Sequence, residues 1–147
     1  MNDTVTYQTQ LRVRYADTDA MGIVYYSKYL EYFEVARTEF LRACGLPYAK
    51  LEAIGYFLPV MESHAKYYRG AKYDELLTIA VRMPSQPSAR LAIEYRVTND
   101  DGELLVEGST ILAFVNRETG RPSRPPAAYI DALSTFALQN DQPRHVS

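Results

Sequence analysis

Cysteine is nearly absent from this chain, and tryptophan is missing altogether. With Cys44 as the single thiol, neither an intrachain disulfide framework nor a multi-cysteine metal site can form, and the composition suits a reducing compartment. An excess of charge is lacking too. The 16 Lys and Arg residues against 18 Asp and Glu leave a net charge of −2 and a pI near 5.7, so there is no global attraction to phosphate backbones or anionic membranes, and nucleic acid is not an expected partner. No run of about 18 apolar residues is present to cross a bilayer. The opening MNDTVTYQTQ carries neither the basic nor the apolar segment of a secretory leader. A soluble, cytoplasmic protein with no integral membrane association is expected. Within 147 residues, 47% hydrophobic content supplies one sizeable core, since chains of this length bury roughly 68–70% of their unfolded surface. One domain over residues 1–138 is expected, followed by a disordered polar tail over 139–147.

What is present reads as a strand, a helix, then a run of strands. In residues 5–15, Val5, Tyr7, Leu11, Val13 and Tyr15 share one face, and Thr6, Gln8, Gln10, Arg12 and Arg14 the other. From Tyr29 to Cys44 the period lengthens: Tyr29, Leu30, Phe33, Ala36, Arg37, Phe40, Leu41 and Cys44 recur every three or four positions. Ser27 is placed as the N-cap and Gly45 as the stop before Pro47. Arg37 is charged yet lies on this apolar stripe, so either its stem packs while its head reaches water or it meets a buried acid. A short helix over Tyr48–Ile54 ends at Gly55. Strands follow over 60–68, LLTIAVRM and SARLAIEYRVT; NDDG then forms a tight turn into the returning strand ELLVEGSTILAFVN. A last helix spans Ala127–Leu138. One long helix beside several antiparallel strands makes an α+β domain in which the sheet must cover the helix.

The stretch RYADTDAMGIVYY sets Asp17 and Asp19 two positions apart at the junction of strand and helix, with tyrosines on both sides. Two acids there serve equally as turn and cap chemistry or as a reactive group at the edge of a pocket. A calcium loop is disfavoured, because its fifth position would be Met21 and its twelfth Lys28.

The segment YADTDAMGIVYYSKYLEYFEVARTEFL, residues 15–41, resembles the signature of the hotdog-fold acyl-CoA thioesterases of the 4-hydroxybenzoyl-CoA thioesterase family, which includes a bacterial branch associated with the Tol–Pal envelope system. The order of elements over residues 5–135 and the segment TGRPSRPP agree with it. The resemblance implies a hotdog fold, a curved antiparallel sheet wrapped around one central helix. It implies hydrolysis of an acyl-CoA thioester to a free acid and coenzyme A, with no metal and no cofactor beyond the coenzyme A of the substrate. The catalytic acid of the family is the second of a D-x-D-x-x-G pattern, here Asp19, acting as nucleophile or general base, with Gly22 closing the turn and Asp17 in a supporting role. The oxyanion donor falls in the segment Gly55, Tyr56, Phe57, and Phe57 is the residue assigned. Many members of the Tol–Pal branch carry histidine where this chain has Tyr26, a candidate acyl-pocket residue. The family's cleft lies between subunits, which implies a homodimer and, beyond it, a dimer of dimers.

Lys66, Arg69 and Lys72 lie among tyrosines and are candidates for the phosphates of coenzyme A, with a solvated face as the default reading. His64 is expected to be a partly exposed strand residue, and Cys44 an inert core thiol. The competing reading of the whole chain is a hotdog module that binds acyl thioesters without turnover. A carboxylate aimed at the carbonyl separates the two. A hydratase, which needs a catalytic acid and base that typically include a histidine, ranks last, because the only histidine of the domain, His64, lies outside the motif.

Overall fold

The computed structural model describes residues 4–140. Its elements run β1 (Thr4–Arg12), α1 (Lys28–Ala43), α2 (Tyr48–Ala53), β2 (Tyr56–Phe57), β3 (Val60–Tyr67), β4 (Leu76–Pro84), β5 (Arg90–Thr98), β6 (Leu104–Ala113), β7 (Val115–Asn116) and α3 (Ala127–Asn140). Five strands form one antiparallel sheet in the order β1-β4-β5-β6-β3, and β2 pairs with β7 in a separate ribbon. Alternation drives this arrangement. Leu77, Ile79, Val81 and Met83 of β4 and Leu91, Ile93, Tyr95 and Val97 of β5 are all buried on one face. The β5–β6 turn is organised by Asn99, whose side-chain oxygen accepts the N–H groups of Asp101 and Glu103 while Gly102 takes φ +77°.

The long helix α1 lies on the inner face and buries Tyr29, Tyr32, Phe33, Ala36, Phe40 and Leu41, each large side chain contributing about 1.5–3 kcal/mol of hydrophobic stabilisation. Phe33 stacks on Tyr95 of β5 at 4.3 Å. Gly108 of β6 permits this approach, since a Cβ there would meet the Phe33 ring at 2.5 Å and the His64 carbonyl oxygen at 2.8 Å. Helix and sheet together make the α+β hotdog arrangement.

Several boundaries differ from the sequence reading. The first strand ends at Arg12, because Tyr15–Asp17 turn into a single 3-10 coil. Tyr15 therefore leaves the apolar face and stands exposed, edge-on to Tyr73 at 5.6 Å. Ser27 occupies the N-cap position but has helical backbone angles and makes no capping side-chain bond. Gly45 ends α1 as expected, with φ +79°. Helix α3 continues to Asn140, two residues into the expected tail; the rest of that tail lies outside the described residues. Among the described residues, no helix is long and apolar enough to cross a membrane.

Candidate active site

The loop between β1 and α1 is a small hairpin built on local chemistry. Thr18 bridges Val24, and the Asp19 N–H donates to the Ile23 carbonyl at 2.9 Å. Gly22, at φ +80°, donates back to the Asp19 carbonyl at 2.9 Å and closes the turn. The outgoing leg is stitched to the chain after β3: Val24 N–H bonds the Ala71 carbonyl at 2.8 Å, and Ile23 bridges Lys72. Gly70 leaves room for Ile23, whose side chain would lie 2.7 Å from a Cβ at that position. The Asp19 loop is thus held by backbone on both flanks.

The two acids sit in different environments. Asp17 is 2% exposed, and its carboxylate accepts Tyr32 Oη–H at 2.8 Å and Arg14 Nη2–H at 3.0 Å. Burial alone would raise its pKa; the hydrogen bonds from Arg14 and Tyr32, with the Arg14 charge, outweigh burial and leave it lowered. Tyr32 is pushed the other way, by burial first and then by its bond to Asp17. The Asp17 carbonyl also accepts the Tyr25 N–H at 2.9 Å. Asp17 thereby ties the loop to α1. Asp19 is only half-buried, one of its carboxylate oxygens accepts the Met21 N–H at 2.8 Å, and the other takes no hydrogen bond among the described residues. That single bond is the same Asx turn a structural aspartate would make. The difference lies in what is left over: one acid is fully engaged, the other keeps an open oxygen.

Immediately beyond the loop, the chain enters α1. Tyr25 N–H is spent on Asp17 and Lys28 N–H on the Tyr25 carbonyl, which leaves the N–H groups of Tyr26 and Ser27 without a partner among the described residues. Unpaired donors at a helix N-terminus favour negative charge. Phe57 is placed otherwise. Arg117 N–H bonds the Gly55 carbonyl, and the antiparallel register Tyr56↔Asn116 and Phe57↔Val115 then directs the Phe57 N–H to the Val115 carbonyl. Its donor is committed to the β2–β7 ribbon and is not free to meet an oxyanion, contrary to expectation.

Tyr26 is 60% exposed and packs its ring against Tyr25 at 4.7 Å and Tyr67 at 6.4 Å. The three basic candidates are not gathered into one group. Lys66 lies over the Tyr68 ring at 5.3 Å, Arg69 forms an ion pair with Glu103, and Lys72 alone adjoins the Asp19 hairpin through its bridge to Ile23. His64 is exposed on β3 and 3.6 Å from Glu62, away from the loop. Burial raises the Cys44 thiol to about 12, so it is an unreactive packing group. Sequence reasoning passed over Arg14 and Tyr32. Tyr32 shares the helical stripe of Tyr29, Phe33 and Ala36, so its burial was recoverable, but its pairing with Asp17 depends on the 3-10 coil.

Comparison with known proteins bears on the family and the fold. The family model described as Thioesterase-like superfamily matches residues 13–133. The acyl-CoA thioester hydrolase YbgC of Escherichia coli O6:H1 is 30% identical over 128 residues, covering 87% of this chain and 96% of that one. The crystal structure of a DHNA-CoA thioesterase from Staphylococcus aureus superposes with a TM-score of 0.82 at 29% identity, covering 96% of this chain and 97% of that one. A hypothetical protein from Thermus thermophilus superposes with a TM-score of 0.80 at 39% identity, covering 88% and 98% of the respective chains.

Proposed function

The chain belongs to the thioesterase-like superfamily, and from that premise we propose that it hydrolyses an acyl-CoA thioester to a free acid and coenzyme A, with Asp19 as the acting carboxylate. One observation carries the choice of residue: Asp19 is held by a single backbone N–H and keeps its second oxygen open, whereas Asp17 is buried under Tyr32 and Arg14. A thioester needs little more. Its carbonyl is weakly stabilised by resonance and thiolate leaves readily.

As general base, the open oxygen of Asp19 takes a proton from water while the water oxygen bonds the carbonyl carbon. Collapse of the tetrahedral oxyanion then breaks the C–S bond, and the proton passes to the departing thiolate. As nucleophile, the same oxygen bonds the carbonyl carbon and expels the thiolate, and water cleaves the resulting anhydride. Either course develops an oxyanion. The N–H groups of Tyr26 and Ser27, two and one residues before α1, are the donors suited to receive it. Lys72, beside the hairpin, is the basic residue of the three best suited to a phosphate of coenzyme A. The working unit in this reading is a homodimer, with dimers associating into a tetramer.

The test is Asp19→Asn, which keeps size and hydrogen-bonding reach but makes a poor base and nucleophile. Thiol release from a panel of acyl-CoAs should fall about 10²–10⁴-fold in kcat, roughly 3–5 kcal/mol of transition-state stabilisation, while substrate-analogue binding persists. Wild-type turnover in a folded Asp19→Asn protein defeats the assignment. Uniform lack of turnover in the native chain, with thioester binding retained, leaves a binding module. Single turnover in ¹⁸O-labelled water separates the two courses, since only the nucleophilic one can leave label in Asp19.

A further inference from the structure

Arg37 is the residue that neither the core nor the Asp19 site absorbs. It sits half-buried on the inward stripe of α1 and forms no ion pair among the described residues. Its charge is felt by the hydroxyl of Tyr95, which is itself hydrogen-bonded to Thr110 at 2.7 Å. Of the two sequence expectations, a buried acid is therefore not what meets it. A half-buried guanidinium with no ion-paired acid among the described residues is available to an acid from outside the chain.

The same side chain lines a cavity of about 370 Å³ between the second half of α1 and the sheet, within the size range of small-molecule sites. Leu58, Met83, Leu91, Ile93 and Leu112 supply apolar wall, all buried. The space is more than twice the roughly 150 Å³ in which an apolar cavity takes up benzene. Tyr129, 2% exposed, also lines it, and among the described residues its hydroxyl has only the Met83 thioether for an acceptor, at 3.6 Å. A thioether is a weak acceptor, so this buried donor gains from a better one. Glu34 stands at the rim, exposed to solvent. None of Asp19, Gly22 or Tyr26 lines the cavity, so it is separate from the Asp19 loop of the same subunit.

We propose that this cavity is a second binding site, for an amphipathic monocarboxylate: an aliphatic or aryl body on the Leu and Ile walls, with its carboxylate on Arg37. The guanidinium supplies the fork that a carboxylate fits, and the low-polarity walls strengthen that pairing. Binding does not depend on the thioesterase reading. If that reading holds, the released acid belongs to the same chemical class, and the cavity is a place where product binds away from the site that made it.

The probe is octanoate, with 1-octanol as its uncharged counterpart, titrated by calorimetry into the full chain in its native assembly at neutral pH. Octanoate should bind saturably and 1-octanol roughly ten-fold or more weaker. Arg37→Met keeps the apolar stem and should weaken octanoate roughly ten-fold or more. Glu34→Gln removes a repelling rim charge and should tighten binding a few-fold. Leu91→Phe fills the cavity and should abolish binding in a protein whose melting shows that it is folded, which keeps the test decisive if Arg37→Met is unstable. Equal binding of octanol and octanoate, wild-type affinity in Arg37→Met, weaker binding in Glu34→Gln, or no saturable binding to the native chain overturns the proposal. In none of these does the thioesterase assay decide the result.

Discussion

At the residue scale, two acids of one type two positions apart are set in different environments. Asp17 has its carboxylate filled by Tyr32 and Arg14, and Asp19 has one oxygen left over. The pKa of Asp17 is lowered in the folded chain, so it is more fully ionised there than when unfolded. The stability this linkage contributes is complete above the unfolded carboxylate value of about 3.9 and is lost as the pH falls through the folded value. Asp17→Asn should therefore cost about 1–3 kcal/mol at neutral pH, because a buried charge-assisted bond is replaced by a weaker amide contact. The deficit relative to the native chain should shrink below pH ~4, while kcat falls only modestly. Urea denaturation across pH 2.5–7 checks this, and a deficit that grows on acidification contradicts it. Tyr32→Phe, which removes one donor and keeps the ring, should cost about 1–2 kcal/mol with the same direction of pH dependence. The D-x-D-x-x-G spacing was legible in the sequence. Which acid is tied down was not derivable from it, because that depends on a 3-10 coil bringing Asp17 beside a tyrosine fifteen residues on.

At the element scale, α1 and the sheet meet at a contact that a single glycine permits. A Cβ on Gly108 would press into both the Phe33 ring and the His64 backbone, and only the ring can yield. Gly108→Ala should therefore destabilise the fold by about 1–3 kcal/mol, as overpacking does. Combining it with Phe33→Leu should recover part of that loss but not all, since the carbonyl contact remains. Chemical denaturation of the four proteins of the cycle measures the coupling, and strict additivity would show that Phe33 and Gly108 do not meet. The elements themselves were read well where the period is long and unbroken. Leu77 to Met83 and Leu91 to Val97 alternate without interruption, and α1 repeats over four turns. Short elements escaped. The β2–β7 ribbon has two residues a side, too few to show a period, yet it takes up the Phe57 N–H that the family pattern offered to the oxyanion. Tyr15 kept the parity of the first strand, but the coil at Tyr15–Asp17 broke the register before that parity could bury it.

At the scale of the whole molecule, the sheet has an edge that one chain leaves uncovered. Strand β3 pairs with β6 on one side only, and all its residues but the half-buried Ala65 are exposed, apolar ones among them: Val60 41%, Met61 55% and Tyr67 45%. Tyr25, Tyr26, Tyr68 and Phe57 are exposed as well, and Tyr67 links this edge to the start of α1 by donating to the Tyr26 carbonyl at 3.2 Å. An open edge with apolar side chains invites another strand, and a second copy offers a self-complementary one under two-fold symmetry. Met61 sits at a register shift between Val60 and Glu62, where a bulge turns the strand's end away from regular pairing. Such a dimer would bring the second chain beside Tyr26, where the Asp19 loop runs into α1, and would enclose a thioester that one subunit leaves in water. Light scattering should give a dimer or tetramer for the native chain. Met61→Glu, which sets a charge on the apolar edge, should shift it toward monomer. Specific activity should fall in step with the assembled fraction, both in this variant and on serial dilution of the native protein, whereas the helical signal in circular dichroism should persist. A monomer that turns over acyl-CoA at the native rate would show that each subunit encloses its own substrate and that β3 has no part in catalysis.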